Sequence, residues 1–560
     1  SGMFGTFCSV LVAAGFMAGT GRISGSDPRE MAESDLIIIW GTNPVATQVN
    51  VMTHVAAARK SRGAKVAVVD VYENATMKQA DLGIVLKPGT DGALACAVMH
   101  ILFRDGYANR DYLEKYTDCP AELEDHLKTR TPEWASTITG LSVEEIENFA
   151  RLIGQTERTY FRMGYGFSRS RNGSTNVHAV LSIPAVTGAW LHKGGGAFYN
   201  NGAIYGINRG LIEGLDVKDK SVRVLDQSRI GAVLNGDRYD LGDGPPVTAM
   251  LIQNTNPATV APDQNQVRKG LAREDLFTCV HEQFLTETAR YADIVLPATM
   301  FMEHDDLYLG GGHQYLSLGP KIIDPPGECR SNHEVICALA KRLGAEHPGF
   351  NLTARELLDQ TLLASNHGTF DELEEETWRD LQPSFEEAHF INGFAHPDGK
   401  YRFKPDWIHV GSPNDGPKGP HGAIPALPDH WNVIEDAETA HPFRLATSPS
   451  RSFLNTSFNN TPSSIKREGR PEVLVHPDDA AKLGISDGQK VVLGNTRGEV
   501  ILHAKVFAGL RPGVLISEGV WHTDFFENGI GINALTGADQ PAPYGGAAYH
   551  DNHVWLKPAT

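Results

Sequence analysis

Two stretches of the chain carry the same order of apolar runs and polar turns. The first reads DLIIIWGTNP at 35–44, VAVVDVYENATMKQAD at 66–81 and IVLKPGT at 84–90. The second reads MLIQNTNP at 250–257, FTCVHEQFLTETARYAD at 277–293 and IVLPAT at 294–299. The first begins with a short β-branched run bounded by Gly41 and Pro44, the pattern of a buried strand, and in both copies the opening run stops at Thr-Asn-Pro. An acid follows in each copy, Asp70 and Glu282, and then Thr-x-x-x-Ala-Asp, from Thr76 and from Thr288 to Asp293. From Asn43 to Asp70 is 27 positions and from Asn256 to Glu282 is 26, so the chain holds a duplicated unit.

Between the runs the apolar period changes to that of helices. Helical spacing over 45–62 stops at Gly63, and a strand follows at 64–69. A helix over 90–104 opens on Thr-Asp-Gly, and 109–152 reads as mostly helical with a Ser142–Glu145 capping box. Thr159–Met163 reads as a strand, 176–190 as a helix, and 263–273 as the helix of the second copy. Alternating strands and helices predict parallel sheets with helices packed on them. The stretch 303–320 is too Gly-rich for a core element, and 395–442, dense in Pro, Gly, Asp and His, reads as a long connector. Beyond it, short strands at 473–475, 490–493, 499–506 and 513–516 predict a small β-barrel.

A length of 560 residues allows several domains. We divide the chain at 1–165, 166–435 and 436–560. Apolar content of 41% suits a globular protein, and a net charge of -18 argues against nucleic-acid binding. No apolar run is long enough to span a bilayer. Six cysteines lie at 8, 96, 119, 279, 329 and 337 without C-x-x-C spacing, which suits a reducing compartment better than a disulfide framework. The chain starts at Ser1 without Met and shows no signal peptide; the expected location is cytoplasmic, with the periplasm the alternative if the natural N-terminus lies upstream of Ser1.

In open parallel sheets, ligands sit beyond the carboxyl ends of the strands, where both Thr-Asn-Pro turns and both acids fall. A carboxylate there can accept hydrogen bonds from a ribose diol. The Gly89–Gly92 turn opens a helix whose free amides favour an anion or a purine edge. No G-x-G-x-x-G follows either first strand, so the usual NAD fingerprint is absent.

The motifs WGTNP, VVDVYENATMKQAD, LKPGTDGALA, MGYGFSRSRNG, TGAWLHKGGG, QNTNP, FLTETARYADIVLPAT and HPDDAAKLGISDGQKVVLGNTRGEV occur in an order that resembles the molybdopterin oxidoreductases of the dimethyl-sulfoxide-reductase type. That family includes formate dehydrogenases, nitrate reductases and sulfoxide reductases. The resemblance implies an α/β fold of two pseudo-repeated dinucleotide-binding domains followed by a double-psi β-barrel. It implies a bis-molybdopterin guanine dinucleotide with molybdenum or tungsten, one dinucleotide per repeat. By position, Gly41, Asn43, Asp70, Thr76, Gly89 and Asp91 would hold one dinucleotide. Gly164, Asn254, Asn256, Glu282, Thr288 and Asp293 would hold the other. Thr447, Ser448, Arg451, Ser452 and Asn533 would close over the pterins, with Arg169 and Arg451 as phosphate cations.

The resemblance makes Cys8, in GTFCSVLVAAGF, the metal ligand, with Ser9 as the fallback. A thiolate is a soft donor suited to such a metal; a small buried cysteine is the plainer reading. His313, in GGGHQ, is a candidate acid or base in the substrate funnel against an ordinary loop histidine. His54 reads as a packed residue, Cys96 as core, and Asp305-Asp306 as solvated or a cap. A [4Fe–4S] cluster is expected only if a further N-terminal segment exists; without such a relay, an electron-transfer partner subunit would bind directly near the pterin. The expected activity is oxygen-atom or hydride transfer at a small molecule. The rivals are a non-catalytic homologue within an electron-transfer complex and an enzyme using a single NAD-type nucleotide.

Overall fold

The computed structural model describes residues 2–4, 7–411 and 424–559. Residues 412–423 of the expected connector, and residues 5 and 6 before Cys8, lie outside the described residues.

Five parallel strands form the first sheet, in the order Leu82–Val85, Lys65–Asp70, Leu36–Trp40, Thr159–Met163, Gly196–Phe198. The central strand is buried along its whole length because both of its faces are apolar. Ile37 and Ile39 pack with Val51 and Val55 on one side, while Leu36, Ile38 and Trp40 pack with Leu94 and Val98 on the other. Such two-sided burial is what a parallel sheet requires, and it explains the uninterrupted LIIIW run. The first sheet draws on chain beyond 165, since Gly196–Phe198 is its edge strand.

The helix over 45–62 is two helices, Pro44–Thr47 and Val49–Arg62, broken at Gln48. Gly63 closes the second with φ 68°. The 109–152 stretch is four short helices, and the last, Val143–Gly154, has the expected Ser142–Glu145 capping box. Near the N-terminus, Val10–Thr20 is an 11-residue helix. It packs against Gly173–Thr187 so closely that a Cβ on Gly15 would meet the Ser174 carbonyl oxygen at 2.3 Å.

The second copy forms a three-stranded parallel sheet, Ala249–Gln253, Phe277–Glu282, Ile294–Pro297. Its helix is Gln264–Leu271, shorter than expected because Asp263 before it takes φ 51°.

Two expectations are corrected. The 303–320 stretch is not wholly loop: Asp306–Tyr308 and Tyr315–Gly319 form an antiparallel pair that Trp378–Asp380 extends. The glycines sit in the turn between the strands, and distant pairing with 378–380 completes the sheet. The connector is not merely a tether, because Tyr401 and Phe403 are fully buried in the core of the first domain.

As expected, the chain ends in a barrel. Six strands close it in the order Phe443–Ser448, Val514–Glu518, Glu472–Val475, Gly498–Val506, Lys490–Asn495, Asn552–Pro558. Two of the pairings are parallel, so the chain crosses over itself instead of meandering. Among the described residues, no helix is long and apolar enough to cross a membrane.

Candidate functional site

The two repeats build their turns with the same atoms. In the first, Thr76 Oγ1 donates to Asn43 Oδ1 at 2.6 Å and accepts from the Val45 amide at 3.0 Å. In the second, Thr288 Oγ1 donates to Asn256 Oδ1 at 2.7 Å and accepts from the Ala258 amide at 3.0 Å. Asp81 accepts from the Val66 amide at 2.8 Å, and Asp293 accepts from the Thr278 amide at 2.7 Å. Asp70 and Glu282 each end their strand, opposite Val85 and Pro297, and each accepts from the next amide at 2.7 Å. Both threonines are fully buried. The duplicated residues thus form a lock that fixes the turn after the first strand, with each hydrogen bond contributing about 1 kcal/mol net.

The turns open onto two adjoining cavities. One of about 430 Å³ is lined by Gly41, Asn43, Asp70, Gln48, Tyr72, Tyr165, Arg451 and Ser452. The other, about 360 Å³, is lined by Asn254, Asn256, Val260, Asn533 and Tyr549. Cys8, Arg169, Thr447 and Ser448 line both. Each repeat therefore faces one cavity, the barrel segment 447–455 roofs the pair, and Cys8 stands where they meet.

Local structure holds Cys8 at that junction. It directly precedes the Ser9 cap of the helix Val10–Thr20, Ser168 Oγ donates to the Cys8 carbonyl, and Tyr199 OH donates to the Ser9 carbonyl at 3.3 Å. Arg169 Nη2 lies 4.0 Å from Cys8 Sγ, and Nη1 donates to the Thr447 carbonyl at 3.3 Å. No ion-pair partner of Arg169 stands among the described residues. An arginine without a carboxylate, where two cavities meet, suits an anion. His550 bridges the layers: its amide donates to the Arg169 carbonyl at 2.6 Å, and its Nε2 meets the Thr447 carbonyl at 2.6 Å. Burial pulls its pKa down to about 3, so the ring is neutral beside the arginine.

Asp70 is the main electrostatic feature of the larger cavity. Desolvation pushes its pKa up to about 7, and the nearby Asp91 adds to the rise. Desolvation likewise pushes Asp91 to about 6, although Trp40 Nε1 donates to it at 2.8 Å. Asp70 thus presents a carboxyl to hydrogen-bond donors from a ligand, whereas Asp91 lines neither cavity. Glu282 is also raised by burial, but it lines neither cavity.

Other expected site residues stand behind the walls. Gly164 backs the first turn: a Cβ there would meet the Gly41 carbonyl oxygen at 2.4 Å. The Gly89 carbonyl accepts from Asn172 Nδ2 at 2.7 Å. Thr76, Thr288 and Asp293 are committed to the locks. His313 is exposed and lines neither cavity; its Nδ1 accepts from the Tyr315 amide at 3.1 Å. Its loop touches the wall through Gly311, next to Asn200, which donates to Tyr165 OH at 2.8 Å.

Sequence reasoning missed Glu287, Tyr549 and His550. Glu287 accepts from Asn256 Nδ2 at 2.7 Å and from the Thr523 amide at 3.1 Å, tying the second repeat to the barrel. The first repeat has Ala75 at that position, so the repeat itself gave no signal for Glu287. Tyr549 and His550 lie 541 and 542 positions from Cys8 in a stretch without periodicity, so only the fold brings them to the site.

Two adjoining cavities built from a duplicated turn and roofed by a barrel suit an anionic, dinucleotide-type cofactor. The chain belongs to the molybdopterin oxidoreductase family. The family model for molybdopterin oxidoreductases matches residues 8–342, and that for the molydopterin dinucleotide binding domain matches 443–555. The chain is 37% identical over 556 residues to the probable oxidoreductase YoaE of Bacillus subtilis (strain 168), covering 99% of this chain and 79% of that protein. It is 26% identical over 630 residues to the dimethyl sulfoxide reductase DmsA of Escherichia coli (strain K12), covering 99% of this chain and 75% of that one. Its fold is similar to that of acetylene hydratase from Pelobacter acetylenicus, with a TM-score of 0.78 at 16% identity over 98% of this chain and 81% of that one. The protein is thus an oxidoreductase with a molybdopterin-type cofactor and molybdenum.

The residues present fit that group. Gly41, with φ 65°, turns the first loop tightly beside the cavity, and Asn254 takes φ 50° at the matching point of the second. Arg169 offers charge to an anion, the raised Asp70 carboxyl offers acceptors to a diol, and Cys8 offers a soft donor.

Proposed function

We propose that the protein is a molybdenum- or tungsten-dependent oxidoreductase that moves an oxygen atom or a hydride equivalent at a small substrate. In this reading it carries two molybdopterin guanine dinucleotides, one per cavity, and Cys8 is the protein ligand of the metal. The observation that carries the reading is that both cavities, one from each repeat, converge on Cys8 and Arg169. The guanine ends would lie toward Asp70 and Asp91 in the first repeat and toward Glu282 in the second.

When bound, the cofactor supplies a two-electron redox centre. The chain supplies the rest. Cys8 holds the metal from a backbone that Ser168 and Tyr199 fix. Arg169 sits within reach of an anionic oxygen at the junction, held there by His550 and Thr447. Because His550 is neutral, it adds no second positive charge, and its remaining ring proton is engaged by the Thr447 carbonyl oxygen. Segment 447–455 covers the junction and limits water. His313, one layer behind Tyr165, would act on substrate only by a movement of its loop. A partner subunit would exchange the electrons.

Similarity to a dimethyl sulfoxide reductase makes small sulfoxides and N-oxides the first substrates to try. The deciding experiment is Cys8→Ala. We expect turnover to fall to background while pterin content stays near wild type, since the dinucleotides are held by the turns and the barrel. Wild-type turnover in that variant sinks the ligand assignment.

A further inference from the structure

The barrel carries a second cluster of ligating side chains, away from both cavities. Glu438, His441 and His553 each offer one ligand atom, all within 4.8 Å of one another. We propose that these three residues form a site for a divalent d-block cation of the zinc class, which fastens the connector to the closing seam of the barrel.

The local backbone is built for it. Glu438 and His441 face each other across a tight turn, each amide donating to the other's carbonyl at 3.0 and 3.1 Å. That turn leads directly into the first barrel strand, Phe443–Ser448. His553 lies on the last strand, Asn552–Pro558, opposite Arg444. Glu438 Oε1 is 2.9 Å from His441 Nδ1 and 3.9 Å from His553 Nδ1. The two imidazoles stack with centroids 4.3 Å apart and planes 14° from parallel.

Two imidazoles and one carboxylate are donors for zinc, cobalt or nickel, not for calcium or magnesium, which prefer all-oxygen sets. Further contacts orient the ligands, as metal sites need. His553 Nδ1, the atom that faces Glu438, also lies 3.2 Å from the Asp436 carbonyl oxygen, a contact that a cation at Nδ1 would replace. Glu435 Oε2 is 3.8 Å from Nε2, and Arg497 grips Glu435 at 2.5 and 2.8 Å. His441 is buried, whereas the Glu438 side chain is 56% exposed and free to swing. Ligands of one zinc ion stand roughly 3.4 Å apart and donate within their ring planes, so binding needs the stacked imidazoles to turn toward a common point, with the exposed carboxylate following. None of the three residues lines the cavities, so the site is structural and independent of the redox reading.

The test is titration of the purified full-length holoprotein with Co²⁺ and then Zn²⁺. We expect one Co²⁺ per chain with ligand-field absorption in the visible, displaced by one Zn²⁺, and a rise in melting temperature with Zn²⁺. His441→Ala and His553→Ala should each weaken binding about 10- to 100-fold and abolish the thermal gain. Should a histidine variant fail to fold, Glu438→Gln, at an exposed side chain, must still weaken binding about tenfold. Unchanged affinity and spectrum in the variants, or no Co²⁺ or Zn²⁺ binding by wild type, overturns the proposal.

Discussion

The two repeats share a lock and differ in almost everything around it. In the first, the Asn43–Thr76 pair stands beyond the carboxyl end of a central strand buried on both faces. In the second, the Asn256–Thr288 pair stands on a sheet with an open face, where Leu251, Phe277, Ile294 and Val295 are 41–48% exposed. The lock geometry nevertheless agrees within 0.1 Å for the threonine–asparagine bond, 2.6 against 2.7 Å. The turn is therefore set by local hydrogen bonds, and core packing is secondary to it. The copies also meet the barrel differently. The first uses Tyr72, whose hydroxyl donates to Glu518 at 2.7 Å, and the second uses Glu287. Their acids diverge as well, since Asp70 lines its cavity and Glu282 does not.

This asymmetry orders the consequences of mutation. The largest difference is expected between Asp70→Ala and Glu282→Ala. Two hydrogen bonds to a charged acceptor contribute roughly 3 kcal/mol together, so Asp70→Ala should weaken cofactor retention on the order of 100-fold. Glu282→Ala should weaken it less. Dinucleotide content after gel filtration measures both, and equal losses would remove the distinction.

A pH effect follows from the same carboxyl. The folded pKa of Asp70 is about 7 against an ordinary 3.8, so the cofactor-free fold favours its neutral form. Its contribution to stability is full below the ordinary value and is lost as pH rises toward about 7. A diol needs the ionised acceptor, so loading releases a proton. Loading should strengthen roughly tenfold per pH unit up to about 7 and then level off. Asp70→Asn should flatten that dependence, which loading assays across pH 5–8 can read.

The locks should also break unequally. Thr76→Val leaves the Asn43 carbonyl oxygen without its donor and should cost about 1–3 kcal/mol. In Thr288→Val, Glu287 still holds the Asn256 amide group, so a cost nearer 1 kcal/mol is expected. Denaturant unfolding of the two variants makes the comparison, and a larger loss at Thr288 would contradict it.

Much of this architecture was legible from residue order. The duplicated Thr-Asn-Pro turns, the acid at each strand end and the closing barrel rest on local patterns that the fold preserves. What escaped depends on distance in sequence. The 306–319 hairpin is completed by 378–380, and Tyr401 reaches back to the helix carrying Gly19. His550 gains its place only when the barrel closes over Arg169. Within the site, sequence could name Thr76 and Thr288 but not their task, because a buried threonine that fixes a neighbouring asparagine and one that touches ligand look alike in a motif.

The central claim is that each cavity takes one dinucleotide and that both meet a single metal at Cys8. It is tested most directly by acid hydrolysis of the purified full-length protein, with guanosine monophosphate and metal measured on the same sample. The account predicts two guanosine monophosphates released per molybdenum or tungsten atom. One nucleotide per metal, or adenine in place of guanine, would contradict it.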